Sequence, residues 1–314
     1  MIKNHLLYLA FFLMFSFLLQ GCQKDVFFSD CDLLDQTVMI DSLKIKNKVL
    51  VIGIDGFRSD AMTQEITPFI YNFSERNVYK NLSHLTEEDT YSGPNWSSIL
   101  TGVHYNKHNV RDNSFSGIRC DIFPTFFHYI ERNIDSINTA SIVNWIPINE
   151  NILSTDVDYS PNESINDSLV HKMAIDLLVN NDPIRADIIF LHFDELDATG
   201  HSFGFSTDIV EYRNTLEILD LYVESLINII DSKRLAGEDW LCLLVSDHGG
   251  DGTTHADYNN PRVRETVFIA EHPSLNFIEN HKSNQVDIAP TILEFIGVSS
   301  QNFDCKKDGQ SILE

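Results

Sequence analysis

Asp55, Asp197 and Asp247 each stand at or just beyond the end of a short apolar run, and His201, His248 and His255 stand close behind them. In KVLVIGIDGFRSDAM the run Val49–Ile54 ends at Asp55-Gly56; in ADIIFLHFDELDATGH the run Ile188–Phe193, broken only by His192, leads into Asp194, Glu195 and Asp197; in WLCLLVSDHGGDGTTH the run Leu241–Val245 leads into Asp247-His248-Gly249-Gly250. His201 follows Asp197 by four residues, so on a helical turn the two share a face. One acid in such a place is ordinarily a turn former or helix cap, and one histidine is ordinarily structural. Three of each, placed alike, fit a ligand set for divalent cations. Six side chains exceed one four-coordinate zinc and suit two ions, each keeping room for a substrate oxygen or a nucleophile. Three imidazoles argue against calcium and magnesium, which prefer oxygen shells, and favour Zn2+ over manganese or iron.

A nucleophile would have to come from elsewhere. TYSGPNWSSILTG, residues 90 to 102, offers Thr90, Ser92, Ser97, Ser98 and Thr101. Ser97, Ser98 and Thr101 alternate around Ile99 and Leu100 as in a helix, one that starts near Pro94 and aims its free N–H groups at an anion. Ser92 and Thr90 remain as candidates. A serine hydroxyl is almost wholly protonated at neutral pH and no histidine adjoins Ser92 in sequence, whereas coordination to zinc lowers the pKa of an oxygen by many units. Trp96, Trp145 and Tyr159 could wall a leaving group, although aromatics more often pack a core.

The elements that would position these groups are legible in outline. The three runs are apolar on both faces, which marks buried parallel strands, and DSLVHKMAIDLLVN and EYRNTLEILDLYVESLINIID between them carry helical periodicity. Alternating strand and helix predicts an α/β fold, a mostly parallel sheet covered by helices on both sides. Ligands of such sheets bind outside the carboxyl ends of the strands, where all three aspartates arrive.

The N-terminus reads as an export signal: Lys3, then an apolar run from Leu6 to Leu19, shorter than a bilayer span. Gly21-Cys22 at its end resembles the lipobox of bacterial lipoproteins, in which the cysteine is acylated and becomes the new N-terminus. The expectation is a lipoprotein-type signal over 1–21, a polar tether over 22–47 and a catalytic domain over 48–314, anchored to the outer membrane or cell surface, or else periplasmic. A disulfide among Cys31, Cys120 and Cys305 is compatible with export, while Cys242, inside WLCLLV, reads as a buried thiol. The net charge of −24 argues against a nucleic-acid partner.

Taken in order, IDGFR, SGPNWSSILTG, DATGH, SDHGG, TTHAD and VDIAPTILEFIGV resemble the alkaline phosphatase superfamily, most closely its nucleotide pyrophosphatase/phosphodiesterase branch, from about Lys48 to Leu313. The resemblance implies a three-layer α/β/α sandwich and a hydrolase of phosphodiester or pyrophosphate bonds in small phosphate esters. It implies that Asp55, Asp247 and His248 bind one metal with the nucleophile oxygen, that Asp197, His201 and His255 bind the other, with His272 or His281 as substitutes for His255, that Ser92 is the nucleophile, and that Asn95 donates its amide to a phosphate oxygen. Sulfatases, monoesterases and phosphonate hydrolases of the same superfamily are the alternatives, but sulfatases carry Cys/Ser-x-Pro-x-Arg and this chain has Ser92-Gly93-Pro94-Asn95-Trp96. A non-catalytic binding lipoprotein of the same fold is the remaining alternative, and it would be expected to have lost ligands.

Overall fold

The computed structural model describes residues 47–179, 184–298 and 306–314. The export signal, Cys22, Cys31, Cys305 and the tether up to residue 46 lie outside the described residues. Six strands, β1 (Asn47–Ile54), β2 (Val78–Leu85), β3 (Thr139–Val143), β4 (Ile188–Phe193), β5 (Asp239–Val245) and β6 (Glu265–Glu271), form one sheet in the order β2-β6-β5-β1-β4-β3. β1 lies between β4 and β5 and is parallel to both, and β3 is parallel to β4. Only β6 and the edge strand β2 run antiparallel to their neighbours. The mostly parallel sheet is therefore as expected.

Strand periodicity divides the core. Along β1, Val49 and Val51 face one layer while Leu50, Ile52 and Ile54 face the other. The first layer is filled from helices α1 (Ser92–Thr101), α2 (Phe126–Asn133) and, at the C-terminal end, Ile288–Ile296; the second from α3 (Asp167–Val179) and the long α5 (Val210–Leu235). Between these, α4 (Glu195–Phe203) follows β4 directly. The result is a three-layer α/β/α arrangement. Each fully buried aliphatic or aromatic side chain contributes about 1.5–3 kcal/mol, so the two apolar layers fix the sheet and leave polar groups only at its carboxyl rim. Register brings that rim together: Ile54 pairs with Phe193 and Gly53 with Val245, so Asp55, Asp194 and Asp247 leave neighbouring strands at nearly one level.

Helix α1 begins at Ser92, a half-turn before Pro94, with Tyr91 extended at its N-cap. Pro94 fits because the first turn has no use for its missing N–H. Trp96 on this helix is wholly buried, as core packing predicts, and Trp145 packs against Phe115. Tyr159 bridges to Ala140 beside β3. Among the described residues Cys120 and Cys242 are free thiols, the latter buried in β5.

Gly53 is where α1 meets the sheet. A Cβ there would lie 2.5 Å from Cη2 of Trp96, so only glycine lets that indole close on the strand. Gly53→Ala should destabilise the protein by about 1–3 kcal/mol through overpacking, read as a lowered melting temperature; an unchanged one would show that Trp96 moves aside freely.

Candidate active site

Four segments meet beyond the strand ends. Asp55 is fully buried; its Oδ2 accepts from Trp96 Nε1 at 2.9 Å and lies 3.1 Å from His192 Nε2. Its Oδ1 has no hydrogen-bond partner among the described residues, and the same holds for Asp247 Oδ2 and Asp197 Oδ1, all three buried. These three oxygens surround one atom: His248 Nε2 lies 3.3 Å from Asp55 Oδ1, 3.3 Å from Asp247 Oδ2 and 4.0 Å from Asp197 Oδ1. Ser92 Oγ, the first side chain of α1, is 3.4 Å from the same nitrogen. The second oxygen of Asp247 is held by the Gly56 N–H at 3.3 Å. Gly56 has φ 71°, and a Cβ on it would press on Asp197 Cα at 3.0 Å, so glycine sets the turn that brings Asp55 to Asp197.

The imidazoles share one orientation. His248 Nδ1 faces the Gly249 carbonyl at 2.8 Å, His255 Nδ1 the Thr90 carbonyl at 2.7 Å and His201 Nδ1 the Thr253 carbonyl at 3.0 Å. A carbonyl can only accept, so each Nδ1 carries the proton and each Nε2 presents a lone pair inward. On α4, Asp197 Oδ2 and His201 Nε2 lie 3.4 Å apart across one turn, and His201 Nε2 is 3.1 Å from His255 Nε2. Two facing lone pairs at that separation repel unless a cation lies between or beside them. Such inward lone pairs and unpaired carboxylate oxygens are what a divalent-cation site requires. Asp55, Asp247 and His248 form one cluster of metal-ligating geometry and Asp197, His248 and His255 another, with His248 at their junction.

Electrostatics agree with the geometry. Burial, then the charges of Asp55 and Asp194, push the Asp197 carboxyl up to about 9; burial with Asp55 and Asp197 raises Asp247 well above the usual range. Burial, reinforced by Asp55, takes Asp194 to about 7. Asp55 is the exception: burial works to raise it, but the His192 hydrogen bond, the electrostatic pull of the His248 and His192 rings and the Trp96 hydrogen bond together hold it below an ordinary aspartate. Burial and then the neighbouring His248 lower His255 to about 3, so its lone pair is available at any neutral pH.

The structure thus brings Asp55, Ser92, Asp197, His201, Asp247, His248 and His255 together. His272 lies at the opposite end of the sheet, 2.6 Å from Asp239 at the start of β5, because β6 runs antiparallel to β5; His281 pairs with Asp287. Neither substitutes for His255. Asn95 is placed differently from the expectation: its amide nitrogen donates to the carbonyls of Tyr91 (2.9 Å) and Asp89 (3.2 Å), and its oxygen accepts from the Glu87 N–H (2.8 Å). Both ends are occupied in holding the loop before Ser92. Thr90, the competing hydroxyl, donates to the His255 carbonyl. Sequence reasoning missed His192 and the polar task of Trp96, both of which orient Asp55; a histidine interrupting an otherwise apolar strand was the available signal.

A buried carboxylate and imidazole cluster that could hold a metal ion stands at the carboxyl rim of a mostly parallel sheet on an α/β/α scaffold, with a helix-borne serine facing it. The family model of type I phosphodiesterase / nucleotide pyrophosphatase matches residues 49–121 and 121–275, and the chain belongs to that family of phosphodiesterase and pyrophosphatase enzymes. It is 24% identical over 220 residues to bis(5'-adenosyl)-triphosphatase ENPP4 of Bos taurus, covering 64% of this chain and 47% of that protein. It is 26% identical over 221 residues to the uncharacterized pyrophosphatase/phosphodiesterase C725.05c of Schizosaccharomyces pombe, covering 65% and 45%. The chain spans about half the length of these curated relatives. Among solved structures, murine ENPP5, in an inactive threonine-to-alanine form with AMP, matches with TM-score 0.60 at 15% identity over 85% of this chain and 100% of that one. A Bacteroides thetaiotaomicron protein of glycosaminoglycan metabolism, BT33494S-sulf, matches with TM-score 0.59 at 14% identity over 84% and 75%.

The crowded carboxylates give a pH signature to the metal-free chain. Between the ordinary aspartate value of 3.8 and about 9, folded Asp197 holds a proton that the unfolded chain has released, so stability falls as pH rises through that window. His255 works oppositely between about 3 and 6.5 and is exhausted above it. Chelated protein should therefore lose melting temperature from about pH 6.5 to 9, while the increment restored by divalent metal grows; a flat profile in chelator would contradict the clustering.

Proposed function

We propose that the protein hydrolyses phosphodiester or pyrophosphate bonds of small phosphate esters, with Ser92 as nucleophile and two divalent cations, zinc by preference, held by Asp55, Asp247 and His248 and by Asp197, His201 and His255. The observation that carries this is the set of three buried carboxylate oxygens without donors, converging with inward imidazole lone pairs beside Ser92 Oγ. Cations bound there supply Lewis acidity, lowering the pKa of an oxygen and neutralising phosphate charge. Ser92 Oγ attacks phosphorus as the bond to the leaving oxygen breaks, giving a phosphoseryl ester. Water then cleaves that ester, restoring the hydroxyl; one water is consumed and the original P–O bond is replaced by P–OH. Asn95 keeps Ser92 at the helix start, and Trp96 and His192 keep Asp55 turned inward.

A Ser–His–Asp triad is the competing arrangement, since His248 Nε2 lies 3.4 Å from Ser92 Oγ. In a triad the acid would hold Nδ1, yet His248 Nδ1 faces the Gly249 carbonyl and the aspartates crowd Nε2. The geometry favours coordination. AMP bound to ENPP5 supports a nucleotide-sized phosphoester as substrate, and the missing arginine after Pro94 counts against sulfate esters.

Diesters should be preferred over monoesters, because the extra charge of a monoester calls for a fixed cation. Arg58 is committed to Asp60 and the Phe205 carbonyl, Lys107 to Asp308, and Arg111 to Asp89. Purified protein should carry close to two zinc per chain, lose activity in chelator, and lose it by orders of magnitude in Ser92→Ala. An aryl phosphodiester should exceed the matching monoester and sulfate in kcat/KM. A tenfold monoester preference, about 1.4 kcal/mol, would reject the diesterase assignment, and full activity in Ser92→Ala would reject the mechanism.

We further propose anchoring through a lipid on Cys22. The support is the sequence alone: the apolar run, the small residue before the cysteine and the polar stretch after it. The protein should partition into detergent, and Cys22→Ala should release it or stall its processing; intact mass showing an unmodified N-terminus beyond Cys22 would contradict the anchor.

A further inference from the structure

Thr90 and His255, separated by 165 residues, exchange two hydrogen bonds: the Thr90 carbonyl accepts from His255 Nδ1–H at 2.7 Å, and Thr90 Oγ1–H donates to the His255 carbonyl at 2.5 Å. Both residues are buried. The loop that carries His255 is also fastened through its neighbours, by Asp251 to the Thr254 backbone and to the side chains of Asn260 and Arg262, and by the Gly252 and Thr253 carbonyls to Phe205 N–H and His201; Tyr91 and Phe205 pack edge-on against the ring, but none of these contacts bonds its nitrogens. Thr90 sets the direction of the imidazole. With the backbone pinned by the hydroxyl and the ring pinned by the carbonyl, Nε2 is aimed at His201 Nε2, 3.1 Å away, and the ring stacks on His248 with centroids 3.8 Å apart. Thr90 is in turn fixed by Asn95, whose amide holds the carbonyls of Asp89 and Tyr91 on either side of it.

We propose that Thr90 is a positioning residue that makes His255 a ligand, so that metal retention at the Asp197–His201–His255 half of the site is governed by the loop that carries Ser92. The proposal rests on the two-metal reading above. The Thr90 hydroxyl does not touch the reacting atoms; it acts through the His255 backbone, and without it the Nδ1–H bond to the Thr90 carbonyl alone ties His255 to that residue, so the backbone can shift and Nε2 is aimed less sharply. Partners that orient a ligating histidine are worth about 10- to 100-fold in metal affinity, and the effect should fall on one ion of the two.

The test is zinc release from the loaded full-length chain into a chromogenic chelator. Wild type should yield two zinc per chain. In Thr90→Val, isosteric but without the donor, one zinc should leave at least tenfold faster and the other at the wild-type rate, with kcat recovering in excess zinc. Thr90→Ser, which keeps the hydroxyl, should behave as wild type. Thr90→Ala gives the same contrast without steric risk should the valine variant fail to fold. A wild type that binds fewer than two zinc would defeat the two-metal reading itself; a wild type that binds two, with both released at unchanged rates from folded Thr90→Val and Thr90→Ala, would overturn the role of Thr90 alone.

Discussion

The structure depends on a repulsion. Asp55, Asp197 and Asp247 turn unpaired oxygens towards one small volume from which water is largely excluded, and in such a medium like charges a few ångströms apart cannot all persist without compensation. The chain meets this with neutral imidazoles rather than lysine or arginine. Imidazoles held through Nδ1 offer lone pairs, not positive charge, so they leave the compensation to something that enters from outside. A structural ion-pair network would have been built the other way, and a buried pair broken on one side costs far more than it gains.

What lets the protein hold such an arrangement is the sheet. β1, β4 and β5 are apolar throughout and hydrogen-bonded in register, so the positions of Asp55, Asp194 and Asp247 follow from strand pairing rather than from their own interactions. Helix α4 then converts a sequence spacing of four into a shared face for Asp197 and His201. Ser92 comes from the other layer, on α1, whose approach is set by Trp96 closing on Gly53. Trp96 joins the two halves: its ring is part of the first core layer and its Nε1 fixes Asp55. Packing and coordination geometry are thus coupled through one side chain.

The strand-end acids were legible because both the burial of a parallel strand and the turn that follows it leave local marks in sequence. The i, i+4 pair was legible for the same reason. Three features were not. His192 reads as a fault in an apolar run until β4 is laid beside β1, which puts it against an aspartate 137 residues away. The choice of His255 over His272 rests on β6 running antiparallel to β5, which sends His272 to the far end of the sheet; local sequence says nothing of that direction. Asn95 has the residue type expected of a phosphate contact, but the loop 87–91 curls back over α1 and takes up both ends of its amide. For the two histidines the missing information was a long-range pairing; for Asn95 it was the path of a loop only four to eight residues away.

The Asn95 result bears on how the site discriminates. If both hydrogens of that amide are occupied by carbonyls, and Arg58, Lys107 and Arg111 are each paired with carboxylates, the phosphate meets few fixed donors from these side chains. Binding energy must then come mostly from the centre of the site, where it acts on the oxygens that gain charge as the bond breaks. Interactions that strengthen only in the transition state raise kcat rather than tighten ground-state binding. On the phosphodiesterase reading proposed above, a site so constructed would be selective for how much charge the phosphate carries.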